Sequence, residues 1–394
     1  MTDAKTILIS GAGVAGPALA WWLARHGFSP TVVERAPAIR DGGQAVDFRG
    51  PAHMGVLQKM GVLEDIRARQ THMGATAFVD AANRPLVTMS AELLGGDVEI
   101  LRGDLGQVLY AASRDAAEYM FDDTIVGLSQ DGDGVDVVFE RAAPRRFDLV
   151  VGADGLHSNV RRLAFGAEDR FIRDFGYSVA ICTVPNVYGL GREGRIHCIP
   201  GRAAGLFGAR DGAEARASLY FASASASPDR SDVQAQKEVV AEAFAGMGWE
   251  APRLIQAMRE APDFYFDTIS QVRMDRWSSG RVVLLGDAGY GGTLGGMGTG
   301  LTVIAAYVLA GELAASPDDH AAAFARYAAG IGDYARTCQK GAASVGRFMA
   351  PKTQAGIWLR NSLLRAFYHL PGKGLMESMA MNRADGVVLK EYAA

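Results

Sequence analysis

Eleven residues near the N-terminus constrain this chain more than any other feature: Thr6 to Ser10, a short apolar strand, and then Gly11-Ala12-Gly13-Val14-Ala15-Gly16. The glycine spacing alone is weak evidence, but here a strand precedes it and an Ala/Leu/Trp-rich helix, expected from about Val14 to His26, follows. Gly27 stops that helix, and Thr31-Val32-Val33-Glu34 predicts a second buried strand, so the unit is βαβ with a parallel sheet. Gly11 permits a tight turn, Gly13 lets a pyrophosphate approach the backbone, and Gly16 allows close helix–sheet contact. Phosphates belong at the helix N-terminus, where unpaired N–H groups and the dipole favour negative charge. Glu34 ends the second strand 18 residues after Gly16, where a carboxylate can accept bonds from both hydroxyls of an adenosine ribose. The pair specifies a dinucleotide and leaves NAD and FAD open.

At 394 residues the chain is long enough for two connected domains, and 49% hydrophobic with 21% charged residues is a globular balance. The net charge of −4 gives no drive towards nucleic acid or anionic lipid. Arg145-Arg146 and Arg161-Arg162 read as solvated surface rather than a phosphate track. Three cysteines, Cys182, Cys198 and Cys338, lack metal-ligand spacing and are odd in number, which fits a reducing cytosol. Met-Thr-Asp-Ala-Lys leads directly into the first strand, so no signal peptide is expected. The longest apolar run, Leu301 to Leu313, is interrupted by Glu312, falls short of a bilayer span and reads as a buried helix. No metal and no membrane partner are therefore expected, and the location expected is cytoplasmic.

Two further buried strands, Asp148 to Ala153 and Arg281 to Gly286, each run into a glycine-containing turn. Between about Phe171 and Gln271 the texture changes to alternation of apolar and polar residues, clearest at Arg216 to Phe221. That pattern predicts a mixed or antiparallel sheet, inserted as an α+β domain. Ser223 to Ser231 reads as a surface loop, and the chain beyond Pro351 reads helical up to Pro371.

The turns after those strands, Gly152-Ala153-Asp154-Gly155-Leu156-His157-Ser158-Asn159-Val160-Arg161 and Gly286-Asp287-Ala288, would separately be ordinary Asp-Gly or Gly-Asp turns. In this order, and with Glu34-Arg35, Gly43 to Asp47 and Leu101-Arg102-Gly103-Asp104-Leu105, they make the chain resemble the group A flavoprotein monooxygenases, the family of para-hydroxybenzoate hydroxylase. The likeness covers nearly the whole chain and is nearest to members that act on polyketides and antibiotics, tetracycline-inactivating enzymes among them. It implies an α/β fold: a Rossmann-like FAD-binding domain (1–73, 98–170 and 276–351), an inserted α+β substrate domain (74–97 and 171–275), and a C-terminal helical segment (352–394) closing over both. It also implies that Gly11, Gly13, Ala15 and Gly16 hold the FAD pyrophosphate, with Glu34 and Arg35 on the adenosine side. Arg102 would contact the flavin side, Asp154 and Gly155 would serve FAD and NAD(P)H together, and Asp287 would bond the ribityl or pyrophosphate region. Gly298 and Thr299 would lie beside the pyrimidine edge of the flavin.

After Asp287 the sequence departs from the family pattern. The run Gly289 to Gly300 is about one residue short and has no proline, and eight of the fifteen residues from Gly286 to Gly300 are glycine. Such a run predicts a loosely framed flavin edge. No second glycine fingerprint appears, so NAD(P)H is not expected to have its own Rossmann domain. Aromatic side chains of the inserted region, Tyr177, Phe207, Tyr220, Phe221, Tyr265 and Phe266, suit a planar aromatic or polycyclic ligand. His197 reads better as a structural histidine than as a base, and no catalytic base is assigned. By resemblance the activity is an NAD(P)H- and O2-using FAD monooxygenase that oxygenates an aromatic or polycyclic small molecule. A flavin oxidase, dehydrogenase or reductase on the same fold is the alternative, and a FAD-containing sequestering protein without turnover is a third reading.

Overall fold

In the computed structural model the chain is described over residues 4–91, 96–223, 228–293, 298–369 and 387–392. The N-terminal unit is β1 (Thr6–Ser10), α1 (Ala15–Arg25) and β2 (Ser29–Glu34). Then come β3 (Ala45–Phe48), α2 (Gly50–Lys59), α3 (Leu63–Arg67), the hairpin β4 (Thr76–Val79) and β5 (Pro85–Met89), β6 (Val98–Leu101) and α4 (Arg102–Ser113). β7 (Glu118–Phe121) precedes a meander of β8 (Ile125–Gln130), β9 (Val135–Phe139) and β10 (Arg145–Phe147), and β11 (Leu149–Gly152) leads into α5 (Asn159–Phe165). The long β12 (Ile172–Val184) opens the second sheet, continued by β13 (Gly194–Ile199), β14 (Arg202–Ala209) and β15 (Glu214–Ala222). Helices α6 (Val233–Ala243) and α7 (Ala251–Glu260) separate these from β16 (Tyr265–Val272). The chain ends with β17 (Ser278–Ser279), β18 (Val282–Leu284), α8 (Gly298–Ala314), α9 (His320–Met349) and α10 (Gln354–His369).

The first sheet has six strands in the order β17-β18-β11-β1-β2-β7. β18, β11, β1, β2 and β7 pair in parallel, so the carboxyl ends of β1, β11 and β18 emerge together. Open parallel sheets bind ligands at that edge. Successive residues of β1 face opposite layers. Ile7 and Ile9 join the core under α1, α4 and α8, where Trp22 meets Tyr307, whereas Leu8 joins Val135, Val137 and Phe147 of the small β8–β10 sheet. Helix α8 is buried almost throughout, as expected from its uniformly apolar run.

The second sheet has seven strands, β16-β12-β15-β14-β13-β4-β5, antiparallel except where β4 runs alongside β13. One face packs on α6 and α7 through Phe221, Val240, Phe244 and Leu254. The other carries Phe78, Tyr177, Tyr220 and Ile269 and meets Met349, Ala350 and Leu364 from the C-terminal helices. No described helix is long and apolar enough to cross a membrane. Of the expected Ser223–Ser231 loop, residues 224–227 lie outside the described residues, as does most of the segment beyond 369.

Candidate functional site

The turns after β1, β11 and β18 converge on one cleft at the edge of the parallel sheet. In the first, Gly11 has a φ of +103°, and a Cβ there would stand 2.6 Å from the carbonyl oxygen of Ala153 in the neighbouring turn. A Cβ on Gly16 would stand only 1.9 Å from the carbonyl oxygen of Gly11, so helix and strand can be this close only with glycine. Gly13 differs: the nearest atom to a Cβ there is Arg102 Nη2 at 3.9 Å, leaving an open cradle. Helix α1 begins with no side-chain cap and no acidic residue in its first turn, so its leading N–H groups remain available to an anion. Ala15 is buried in that turn and Arg35 is exposed at the far end of β2.

Glu34 ties the same region together. Its two carboxylate oxygens accept from the N–H groups of Ala12 (2.8 Å) and Ala36 (2.9 Å). A carboxylate has about four acceptor sites, so lone pairs remain for a ligand. Asp154 is used more completely: it accepts from Ser158 Oγ, from Val160 N at 3.1 Å and from Ser10 Oγ at 3.3 Å. Burial nevertheless raises its pKa, against the pull of those bonds. Gly155, at φ +83°, has nothing within 4 Å of a Cβ position and faces open space.

Arg102 is the first residue of α4 and reaches over the cleft from the opposite side. Its backbone N–H donates to Gln44 O at 3.0 Å, and the next N–H, of Gly103, donates to Gly42 O at 2.9 Å. This joins the 42–44 segment to the start of α4. Among the described residues the Arg102 guanidinium makes no ion pair, yet its charge lowers the pKa of Asp287. Asp287 is the reverse case. Burial raises its pKa, Arg102 opposes that rise, and its carboxylate accepts no hydrogen bond among the described residues. An exposed guanidinium without an ion pair and a half-buried carboxylate without a hydrogen bond therefore lie at an open glycine cradle. A partly desolvated carboxylate gains from a hydrogen-bond donor, and the chemistry of this set fits the phosphates and hydroxyls of a dinucleotide.

Over its described residues 286–293, the glycine-rich run after β18 is more constrained than the expectation of a loose frame. Arg161 Nη1 donates to Ala288 O (2.9 Å), Val272 N donates to Gly291 O (2.9 Å), and Gln339 Nε2 donates to Tyr290 O (2.8 Å). Tyr290 Oη pairs with Tyr327 Oη at 3.0 Å, and Thr293 Oγ1 donates to Thr268 O at 2.5 Å while accepting from Ser270 N. Residues 286–293 are thus held by side chains from distant elements. Residues 294–297, including Gly296 and Met297 of the expected turn, lie outside the described residues. Gly298 and Thr299 form the start of α8, and a Cβ on Gly298 would lie 3.9 Å from Asp287 Oδ1.

Arg161 also overturns the reading of Arg161-Arg162 as solvated surface. It is 0% exposed and donates to Leu156 O (2.6 Å) as well as Ala288 O, bridging the β11 and β18 turns, whereas Arg162 stays outside. Its i+3 position from the α5 N-cap Ser158, one helical turn inward, was the available signal. Sequence reasoning also missed a polar chain between the two sheets. Tyr265 Oη donates to Asp267 (3.2 Å), whose carboxylate meets His157 Nε2 (3.0 Å), and His157 Nδ1 meets Glu168 (3.2 Å). Glu168 in turn pairs with Arg161 and Arg230.

Strand alternation separates the aromatic candidates. Tyr177, Phe207, Tyr220 and Tyr265 share one sheet face, and Tyr265 lies within electrostatic reach of Arg102 and Asp287. Phe221 and Phe266 face α6 and α7 instead. His197 is 7% exposed, points its ring towards Trp249 and bonds Val79 O at 3.0 Å, a structural role.

Comparison with known proteins agrees with this geometry. The profile of the FAD binding domain family matches residues 4–328. A flavin-dependent monooxygenase of Legionella longbeachae is 36% identical over 364 residues, covering 91% of this chain and 89% of its own. An uncharacterized protein of Mycobacterium tuberculosis is 48% identical over 330 residues, 82% of this chain and 88% of its own. Among solved structures, tetracycline destructase Tet(55) superposes with a TM-score of 0.83 at 35% identity, over 100% of both chains. Klebsiella pneumoniae HpxO, solved with FAD and uric acid, shares the fold at a TM-score of 0.75 and 22% identity, over 97% of each chain. With its dinucleotide cradle, its second sheet and these relatives, this chain belongs to the FAD-binding, flavin-dependent monooxygenases of group A.

Proposed function

We propose that the cleft holds FAD and that the chain uses NAD(P)H and O2 to oxygenate an aromatic or polycyclic small molecule beside Tyr265 of the second sheet. The observation that carries this reading is the Arg102 guanidinium, without an ion pair among the described residues, beside the open cradle at Gly13 and within electrostatic reach of the half-buried, unbonded Asp287. Gly11, Gly13, Ala15 and Gly16 would bring the α1 N-terminus to the pyrophosphate, with Glu34 and Arg35 on the adenosine ribose side. Asp287 would accept from the ribityl or pyrophosphate region, and Arg102 would lie along the flavin. Asp154 would act by pinning the β11 turn through Ser10, Ser158 and Val160, so that Gly155 presents open backbone to FAD and NAD(P)H. Gly298 and Thr299, in the first turn of α8, would offer N–H groups and a favourable dipole to the pyrimidine edge. When bound, FAD reduced by NAD(P)H supplies the oxygen-transfer chemistry. The protein's share is orientation and exclusion of water, which preserves coupling between reductant and product. Tyr265, partly exposed on the same face as the buried Tyr177 and Tyr220 and within electrostatic reach of Arg102 and Asp287, offers a substrate a flat, amphipathic contact. A cytoplasmic location, and no nucleic-acid or membrane partner, are consistent with the net charge of −4 and three free cysteines.

The test is direct. Purified protein should be yellow with non-covalently held FAD, and a panel of aromatic and polycyclic compounds should contain some that stimulate NAD(P)H oxidation. Product from labelled O2 should gain one labelled atom. Stimulated NAD(P)H oxidation with only hydrogen peroxide formed, for every compound that binds, would favour the oxidase or reductase reading instead.

A further inference from the structure

The flavin-facing run lacks the prolines that would stiffen it, yet residues 286–293 are tightly tied, and one side chain occupies the crossing point of those ties. Gln339 lies mid-way along α9 and sends both N–H bonds of its side-chain amide to carbonyls: Val272 O at 3.0 Å, on the last residue of β16, and Tyr290 O at 2.8 Å, within the run. The reversed amide would set Oε1 against two carbonyl oxygens, so the nitrogen must face them. The backbone reciprocates, because Gln271 Nε2 donates to Gln339 O at 2.9 Å. Val272 N donates to Gly291 O, and Gln271 bridges to Gly292, so Gln339 closes a three-way junction between β16, the glycine run and α9. Beneath it is a cavity of about 30 Å3, lined in part by Asp287, Tyr290, Gly291, Thr302, Cys338 and Gln339. That is room for a single water, and it gives the run somewhere to sag if the junction opens.

We infer that Gln339 is a positioning residue: it does by two hydrogen bonds what proline would do by ring closure, and so sets the wall against which the isoalloxazine is framed. The inference rests on FAD binding in this cleft, as proposed above. Its site of action is distinct from the dinucleotide end, because no tie to Gln339 reaches the turn at 11–16 or Glu34.

Full-length protein carrying Gln339→Leu or Gln339→Glu tests it. The first removes the donors, and the second keeps length and shape while offering only acceptors to two carbonyls, so one variant serves if the other fails to fold. In FAD-free protein, hydrogen–deuterium exchange at 286–293 should rise roughly tenfold or more in both, with residues 6–34 unchanged. In FAD-loaded protein the dissociation constant should change less than about threefold, because the pyrophosphate end is untouched. Quenching of flavin fluorescence by iodide should rise severalfold, and the visible circular dichroism of the flavin should fall. A residue that merely stabilised the fold would lower Tm and leave the last two unchanged. Unchanged exchange, or faster exchange with unchanged iodide access, overturns the role of Gln339 while FAD still binds. Failure of the unmodified protein to bind FAD overturns the cofactor reading as well, and is registered separately by the titration.

Discussion

Two glycine-rich turns meet at the cleft, and they are held by opposite means. In the turn from β1 to α1, constraint comes from the absence of side chains. Gly16 sits where a Cβ would be 1.9 Å from Gly11 O, and the nearby bonds, from Gly11 N to Val33 O and from Ala12 N to Glu34, stay within one βαβ unit. In the turn after β18, glycine is abundant and the constraint is tertiary: side chains of Arg161 on α5 and of Tyr327 and Gln339 on α9 reach into it, and its own Thr293 side chain and Gly291 carbonyl bond β16. The first turn is rigid because nothing else fits. The second is rigid only while the remote elements stay packed, so it can be loosened without unfolding the dinucleotide end. In a site that must admit nicotinamide and then exclude water, that division places adjustable structure on the side where the chemistry occurs.

The sharpest way to break this comparison is at the first turn. Gly16→Ala should destabilise the protein by about 3 kcal/mol or more, because the added methyl meets backbone that cannot move aside, whereas Gly13→Ala enters open space and should cost under about 1 kcal/mol in the FAD-free protein. Thermal unfolding with and without FAD checks both, and Gly13→Ala should show its deficit only in the FAD-dependent stabilisation. Equal loss in the FAD-free proteins would end the argument for an open cradle.

Next in size is Asp287, at the junction of the two turns. Asp287→Ala should lose a charge-assisted bond worth about 1.5–3 kcal/mol of FAD affinity. The FAD-free variant should be no less stable than the parent, because a half-buried carboxylate without a hydrogen-bond partner has been removed. Its pKa is raised by burial, so the carboxylate destabilises the empty fold at neutral pH and ceases to do so as pH falls and it protonates. Full flavin occupancy in Asp287→Ala, measured by absorbance, would remove Asp287 from the site.

The smallest expected effect concerns the polar chain between the sheets. Burial alone would lower the pKa of His157, but its bonds to Asp267 and Glu168 outweigh burial and raise it. Burial pulls Glu168 upward, and bonds from His157 and Arg230 outweigh it and hold the carboxyl at about 2. The stability contributed by His157 is therefore present below its unfolded value of 6.5 and is lost as pH rises through the raised folded value. That contributed by Glu168 is present above 4.5 and is lost as pH falls through about 2. His157→Gln should thus cost about 1 kcal/mol between these limits, and the Tm difference should shrink as pH rises beyond 6.5. A difference independent of pH would mean that His157 acts by packing alone.

The βαβ unit, the glycine fingerprint, Glu34 and the apolar α8 were legible because each depends on short-range rules: a period, a stop signal, or a place where only glycine fits. The aromatic residues of the inserted sheet were legible as residue types but not as a surface. Whether Tyr220 or its neighbour Phe221 packs against the C-terminal helices depends on which side of the sheet the helices α6 and α7 cover. Arg161 was misread for a related reason. A guanidinium next to another arginine looks like surface until the β11 and β18 turns are brought together and present carbonyls that need a donor.

By itself, then, the sequence determined most of the dinucleotide end, since its glycines and Glu34 belong to one βαβ unit, and only the approach of Gly11 to Ala153 comes from far along the chain. Only the tertiary structure decided the turn after β18. Gln339 lies 49 residues from Tyr290 and 67 from Val272, and Arg161 lies 127 from Ala288. A hydrogen bond across such separations carries no periodic or compositional trace. It exists because folding has already met the entropy of bringing α5, β16 and α9 together, after which a buried carbonyl left without a donor would be costly.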